Sequence, residues 1–289
     1  PSDDPHSSSR LLVFSSSVPV KALVKATSGP GFTLADVPVP TIRDDEVLIK
    51  VRRAGVCGTD VHIYEWDDWA SNRCKPPFTV GHEFAGDVVQ VGSLVRDVAV
   101  GDRVTAEGHI VCGRCHLCRT GNSHVCPNTK IIGVDRDGCF AEYIAMPATN
   151  VWHLDASIPY EIGGIHDPMG NAFHTALHGT EIPGATVLVT GCGPIGIFAV
   201  GICAAAGASR VIASDVNPRR LELARSMGAH DAVHPAEVED AVRRAPEQYL
   251  WSYKRFKPLP GQPAGVGLAE ILDQVIVGLA RAIRLVHPL

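Results

Sequence analysis

Methionine is missing from the first 145 residues, and the first of the chain's three is Met146. A chain without an initiator is expected to be a fragment, a processed product, or one whose translation began upstream of its natural start. An excess of one charge is also missing. Lys and Arg number 26 against 31 Asp and Glu, a net charge of −5, which offers no basic surface to nucleic acid or to an anionic membrane. No apolar run reaches the roughly 20 residues that a membrane span needs. The short Leu11 to Phe14 patch lacks the charged start and long apolar stretch of a signal peptide. These absences point to a globular cytoplasmic protein without a nucleic-acid or membrane partner. At 289 residues, 45% hydrophobic and 20% charged, the chain can bury a sizeable core, and its length suggests about two domains.

Cysteine is plentiful, with nine residues, and an odd count fits a reducing compartment better than a disulfide framework. Four of them stand as Cys112, Cys115, Cys118 and Cys126. Two-residue gaps let consecutive thiols fold round one ion, and the fourth returns across a short loop, the arrangement of a closed four-cysteine zinc site. Two disulfides, or buried free thiols, are the plainer alternatives. A zinc that already holds four thiolates has no open position. It can brace a loop, and the chemistry must lie elsewhere.

Residues 1–20 are rich in Ser and Pro without periodicity and are expected to form a disordered leader. From Lys21 short β-rich runs follow: Ala22 to Val24, Val47 to Val51, Val88 to Val91 and Arg103 to Thr105, separated by Gly29-Pro30-Gly31, the Pro38 to Asp45 region and Gly101-Asp102. Residues 21 to about 110 therefore read as mostly β. Three polar clusters stand out: Cys57-Gly58-Thr59-Asp60-Val61-His62, Gly81-His82-Glu83, and Asp167-Pro168-Met169-Gly170-Asn171 leading into a helix from Ala172 to His178. Singly, a Cys or His is more often a core or surface residue than a ligand. Jointly they supply thiolate, imidazole and carboxylate, the ligand mix of a zinc that keeps a position open.

The apolar run Ala185 to Thr190 leads directly into Gly191-Cys192-Gly193-Pro194-Ile195-Gly196, then an apolar helix to Ala206, then a second strand from Arg210 that ends in Asp215. A glycine pattern alone says little, but a strand before it, a helix after it and an acid closing the next strand make the dinucleotide fingerprint. Gly191 serves the tight turn, Gly193 lets the backbone approach a pyrophosphate, and Gly196 allows helix and strand to pack closely. Asp215 accepts the ribose hydroxyls and repels a 2′-phosphate, so NAD is expected over NADP. Asn217-Pro218 opens a helix running to Met227, and Arg219 or Arg220 either covers the adenine or is a solvated helix charge.

Zinc ligands, a four-cysteine lobe and a βαβ nucleotide unit, in that order, resemble the zinc-dependent medium-chain alcohol dehydrogenases. Within them the likeness is to the L-threonine 3-dehydrogenase family. It rests on Lys21 to Lys25, Cys57 to Tyr64 with Trp66-Asp67, Gly81-His82-Glu83, Glu107-Gly108-His109-Ile110, Asp167 to Asn171, and Asp215-Val216-Asn217 with Arg220 to Arg225. The resemblance implies an α/β chain: a mostly β GroES-like catalytic domain over 21–172 and a partial Rossmann domain over 173–244. It implies a catalytic zinc on Cys57, His82 and Glu83, and a structural zinc on Cys112, Cys115, Cys118 and Cys126. Asp167 falls where relatives place a further acidic ligand or a proton-transfer aid. Thr59 and His62 match a proton relay, and Ile195, Asp215 and Arg220 match NAD contacts beside Gly191, Gly193 and Gly196. The implied reaction is oxidation of the L-threonine hydroxyl to 2-amino-3-oxobutanoate: zinc acidifies the alcohol, Thr59 takes its proton, and hydride passes to the nicotinamide. A polyol dehydrogenase acting on sorbitol or butanediol is a sibling reading, and a truncated zinc-binding product without activity is another.

The family begins with Met where this chain has Val20, so residues 1–19 are expected to be extraneous. After His234 only one weak helix, Ala236 to Arg244, is expected, without the second βαβ half that completes a Rossmann sheet. Relatives are commonly homo-oligomers, but their contacts run largely through that half, so no oligomeric state follows. Residues 245–289 read as an unrelated tail, possibly fused. Pro246 to Lys257 resembles the C-terminal signature of lipid A biosynthesis acyltransferases without their catalytic motif, and Leu268 to Ile283 follows helical spacing.

Overall fold

A computed structural model of the protein describes residues 19–178 and 181–238, and Cα packing divides the chain between Asp167 and Pro168. The expected leader up to Val18, the part beyond Val238 of the helix expected over 236–244, and the 245–289 tail with its acyltransferase-like stretch and helical spacing lie outside the described residues.

The first unit opens with β1 (Val20–Lys25), β2 (Thr33–Val37) and β3 (Glu46–Gly55), followed by two short helices, α1 (Gly58–Glu65) and α2 (Asp68–Arg73). Next come β4 (Phe78–Thr79), which joins β1 in a sheet of order β2-β1-β4, then β5 (Glu83–Val91) and β6 (Arg103–Ala106). The chain departs through β7 (His109–Ile110), makes the one-turn helix α3 (His116–Arg119), and returns through β8 (Lys130–Ile131). Pairing of His109 with Ile131 and of Ile110 with Lys130 closes the base of this excursion. The four cysteines sit inside it. β9 (Tyr143–Pro147) and β10 (Val151–His153) complete an antiparallel sheet of order β10-β6-β5-β3-β9.

Val47, Leu48 and Ile49 are each 0% exposed, which is why the start of β3 is apolar throughout rather than alternating. Val47 and Ile49 pack with Phe84, Val88, Val104, Ile144 and Met146. β9 and β10 extend the β domain well past residue 110. Ile144-Ala145-Met146 is too short to announce a strand, and its place follows from pairing along β3, from Glu46 with Pro147 to Lys50 with Tyr143.

After α4 (Tyr160–Gly163), α5 (His166–Leu177) starts six residues before the sequence-based expectation of Ala172. Pro168 does not delay it, because first-turn N–H groups have no intrahelical acceptor and a ring there costs no bond.

In the second unit β11 (Thr186–Thr190), α6 (Pro194–Ala205), β12 (Arg210–Ser214), α7 (Pro218–Ser226) and β13 (Asp231–Val233) form two successive βαβ turns. The three strands are parallel in the order β11-β12-β13. Ile197, Val200 and Cys203, at three-residue spacing on α6, pack with Val189, Val211, Ala213, Leu221 and Ala224. Asn217 caps α7, its Oδ1 accepting the Arg219 N–H at 3.0 Å.

One ion pair ties α2 to the turn after β8. Asp135 accepts both Arg73 Nη atoms, Oδ2 at 2.5 Å from Nη2, and also the Ile131 N–H at 3.0 Å. The Arg73 guanidinium holds the Asp135 carboxyl below its ordinary value. Asp135→Asn should cost about 2 kcal/mol at neutral pH. Because the folded value is depressed, this stabilisation is present above the unfolded value of about 3.9 and fades as pH falls through the folded one. Urea midpoints of wild type and variant should differ at pH 7, and the gap should shrink as pH falls below about 4.

Candidate metal centres and nucleotide loop

Cys57 is the N-cap of α1, with extended backbone, and its N–H donates to Asp60 Oδ2 at 2.8 Å. Glu83 opens β5 and His82 precedes it, both placed by Gly81, whose φ of +91° and contact with the Phe140 ring leave no room for a side chain. These loops bring one ligand atom each from Cys57, His82 and Glu83 within 4.8 Å of one another, and His82 and Glu83 are buried. Among the described residues, two buried side-chain atoms have no hydrogen-bond partner: Asp60 Oδ1 and His82 Nδ1, 3.7 Å apart. The His82 Nδ1 edge therefore faces a carboxylate, and Nε2 is the ring nitrogen left to turn toward Cys57 and a ligand bond.

The electrostatics favour a cation. Burial pushes His82 down, yet the Cys57 hydrogen bond and the charges of Asp60 and Asp167 overcome it and raise the ring to about 9. Burial raises Glu83, and the Asp167 charge adds to that rise. A pocket of thiol, imidazole and acids that draws a proton onto its histidine is one a divalent ion suits, and the donor set is that of zinc.

Asp167 belongs to a second cluster with Glu107 and His109, again within 4.8 Å. Glu107 Oε1 accepts both the His109 N–H at 2.8 Å and ring Nδ1 at 2.6 Å. Burial and the Glu107 charge raise Asp167 above an ordinary carboxylate. In the sequence Glu107 and His109 stand only as marks of lineage. Their two-residue spacing, which in extended chain puts both side chains on one side, was the available signal.

In the cysteine lobe the Sγ–Sγ distances are 3.5 Å for Cys115–Cys118 and Cys112–Cys126, 3.8 Å for Cys115–Cys126 and 4.0 Å for Cys112–Cys118. A tetrahedron with Zn–S bonds of about 2.3 Å has edges of roughly 3.8 Å, whereas a disulfide would need about 2.05 Å. The cage is the size of zinc. Backbone N–H groups of Cys118 and Asn128 point at Cys115 and Cys126, at 3.5 and 3.4 Å, as donors to thiolate sulfur. The N–H groups of Arg114 and Cys115 hold Cys112 down to about 6, while burial and the Cys115 thiol push Cys118 up to about 12. Chelation at neutral pH should therefore speed amide exchange over residues 112–128 by at least ten-fold and leave β3 and β5 protected. Hydrogen–deuterium exchange read by mass spectrometry checks it.

Thr59 and His62 share a face of α1 at i, i+3 spacing. Cys57 Sγ lies 3.8 Å from Thr59 Oγ1, and His62 is exposed, its Nδ1 2.5 Å from Asp67 Oδ2.

In the second unit Gly191 has φ +83° and Gly193 caps α6 without any side chain over the first turn. A Cβ at Gly193 would meet nothing within 4 Å, so the backbone there stands open to a ligand. At Gly196 a Cβ would lie 1.8 Å from Gly191 O, and only glycine fits. Open N–H groups at the start of α6 suit a phosphate. Asp215, buried behind this loop, accepts the Cys192 N–H at 2.7 Å and the Asn217 N–H at 2.8 Å, with Arg220 Nη1 at 3.6 Å. Burial raises its carboxyl, but these donors and the Arg220 charge outweigh that and keep it below its ordinary value. Ile195 is exposed at the helix start.

Two family models match: the alcohol dehydrogenase GroES-like domain over residues 43–156 and the zinc-binding dehydrogenase over 194–252. The chain is 51% identical over 236 residues to an L-threonine 3-dehydrogenase of Symbiobacterium thermophilum, covering 82% of this chain and 65% of that one. It is 53% identical over 224 residues to the L-threonine 3-dehydrogenase of Bacillus subtilis strain 168, covering 78% and 64%. It thus spans about 65% of the length of these curated relatives. Among solved structures, a Sinorhizobium meliloti 1021 protein described as a zinc-binding dehydrogenase and bound to NADP superposes with TM-score 0.73 at 30% identity, over 93% of this chain and 88% of that one. Galactitol-1-phosphate dehydrogenase from Escherichia coli gives 0.71 at 31%, over 78% and 65%.

Proposed function

The chain belongs to the zinc-dependent alcohol dehydrogenases, with a GroES-like domain followed by a Rossmann-like region, and we propose that it oxidises the secondary alcohol of L-threonine to 2-amino-3-oxobutanoate with NAD in the cytoplasm. The observation that carries this reading is the convergence of Cys57, His82 and Glu83 in a chain about half identical to named threonine dehydrogenases. Cys57, His82 and Glu83 hold one zinc, with Asp167 as a further acidic partner, and Cys112, Cys115, Cys118 and Cys126 hold a second that braces the lobe. When bound, the first zinc supplies Lewis acidity toward the substrate hydroxyl and NAD supplies the hydride acceptor.

The residues of the chain do the rest. Thr59, beside Cys57 at the start of α1, takes the hydroxyl proton, and His62, three residues on and open to solvent, passes it out. Asp60 orients the His82 ring through Nδ1. Gly191, Gly193 and Gly196 bring backbone N–H groups to the pyrophosphate, with Ile195 and Arg220 against the nucleotide, and Asp215 favours a free ribose 2′-hydroxyl over a phosphate. Among the described residues no helix is long and apolar enough to cross a membrane. A polyol substrate has its support in fold likeness to galactitol-1-phosphate dehydrogenase at 31% identity, below the threonine relatives. Side-by-side initial rates of NADH formation by the zinc-loaded chain on L-threonine, sorbitol and 2,3-butanediol test the assignment. Threonine should be preferred, and a faster rate on either diol would replace it.

A further inference from the structure

His62 is held by its neighbour in a way that capping alone does not require. Asp67 Oδ1 accepts the Ala70 N–H at 2.9 Å and caps α2, while Oδ2 lies 2.5 Å from His62 Nδ1. An N-cap needs one oxygen, and here the second is spent on the ring. The joint between the helices fixes this geometry. Trp66 ends α1 in the left-handed region at φ 58°, its N–H donating to His62 O at 2.9 Å, and the fully buried Lys25 places Nζ 4.7 Å from its ring centroid. Trp69, from α2, flanks the imidazole with its ring 6.1 Å away. The charged group that faces the His62 ring is thus the Asp67 carboxylate, held below its ordinary value by the Ala70 N–H and by His62.

We propose that Asp67 is a positioning residue for proton exit: by binding Nδ1 it fixes the His62 tautomer and presents Nε2, with a free lone pair, as the atom that takes the proton. A carboxylate can only accept, so Nδ1 carries its hydrogen and Nε2 is the base. The proton enters at Nε2, the Nδ1–H stays on the ring, the imidazolium so formed is stabilised by Asp67, and Nε2 then releases the proton to water. No electrons move in this step. The inference rests on the reading of His62 as a relay.

Asp67→Asn tests it, since Asn caps a helix about as well as Asp but can turn an amide donor toward Nδ1 and move the ring hydrogen to Nε2. In the zinc-loaded full chain kcat should fall about ten-fold, while KM for threonine and NAD should stay within two-fold. Asp67→Asn should add nothing to His62→Gln. Nitrogen-15 NMR of the ring, which needs no turnover, should show Nδ1–H in wild type and Nε2–H in Asp67→Asn. An unchanged tautomer, or an equal loss on the His62→Gln background, would overturn the proposal and leave Asp67 a cap. If His62→Gln alone leaves kcat intact, the relay reading falls first, and the proposal with it.

Discussion

Cys57→Ser should lose one of two zinc ions per chain and about a thousand-fold in turnover, roughly 4 kcal/mol of transition-state stabilisation. The substitution removes one sulfur and little else. The hydrogen bond from the residue 57 N–H to Asp60 belongs to the backbone, so α1 keeps its start, and the Val47, Ile49 and Phe84 core is untouched. What goes is the thiolate. A serine hydroxyl ionises far above neutral pH and is a harder, weaker ligand, so His82 and Glu83 are left to hold a dication between them. Metal analysis should read two zincs in wild type and one in the variant, the survivor in the cysteine lobe, with unchanged circular dichroism. Loss of both ions would mean the two centres are not independent.

Gly196→Ala should be almost as damaging by a different route. The added methyl would stand 1.8 Å from Gly191 O and 2.9 Å from its carbonyl carbon, both backbone atoms that cannot rotate away. Either α6 withdraws from β11 or the Gly191 turn opens. Both movements scatter the N–H groups that would meet a pyrophosphate. Overpacking against side chains costs about 1–3 kcal/mol, and a backbone obstacle should sit at or above the top of that range. NAD affinity should drop at least ten-fold by titration calorimetry, with zinc content unchanged. A Gly193→Ala control should fold normally, because its Cβ meets nothing, and lose affinity only through the ligand.

The two variants mark what the sequence could and could not announce. Cys112 to Cys126 and Gly191 to Gly196 are local: spacing within a short stretch sets the geometry, so both were readable without a structure. The parallel pairing of β11 with β12 followed from strand and helix alternation, whereas β13 and the order β11-β12-β13 came from the structure. Pairing across long separations was not readable. β9 needed β3 to become a strand, and Asp60 became important only because β5 brings His82 to 3.7 Å from it. Glu107 and His109 met Asp167, 60 and 58 residues further on, through the same long-range folding. Asp67 entered the sequence reading only beside Trp66 as a mark of likeness, and its contact with His62 depends on the turn between α1 and α2. The start of α5 at His166 was not readable either, since a proline fits both ahead of a helix and inside its first turn.

Under the proposed function hydride leaves C3 of threonine, and L-[3-²H]threonine follows that hydrogen. With the zinc-loaded chain and NAD, mass spectrometry should find the deuterium on C4 of the reduced nicotinamide, and its formation should cease in Cys57→Ser. Absence of reduced cofactor, or reduced cofactor without deuterium, would contradict it.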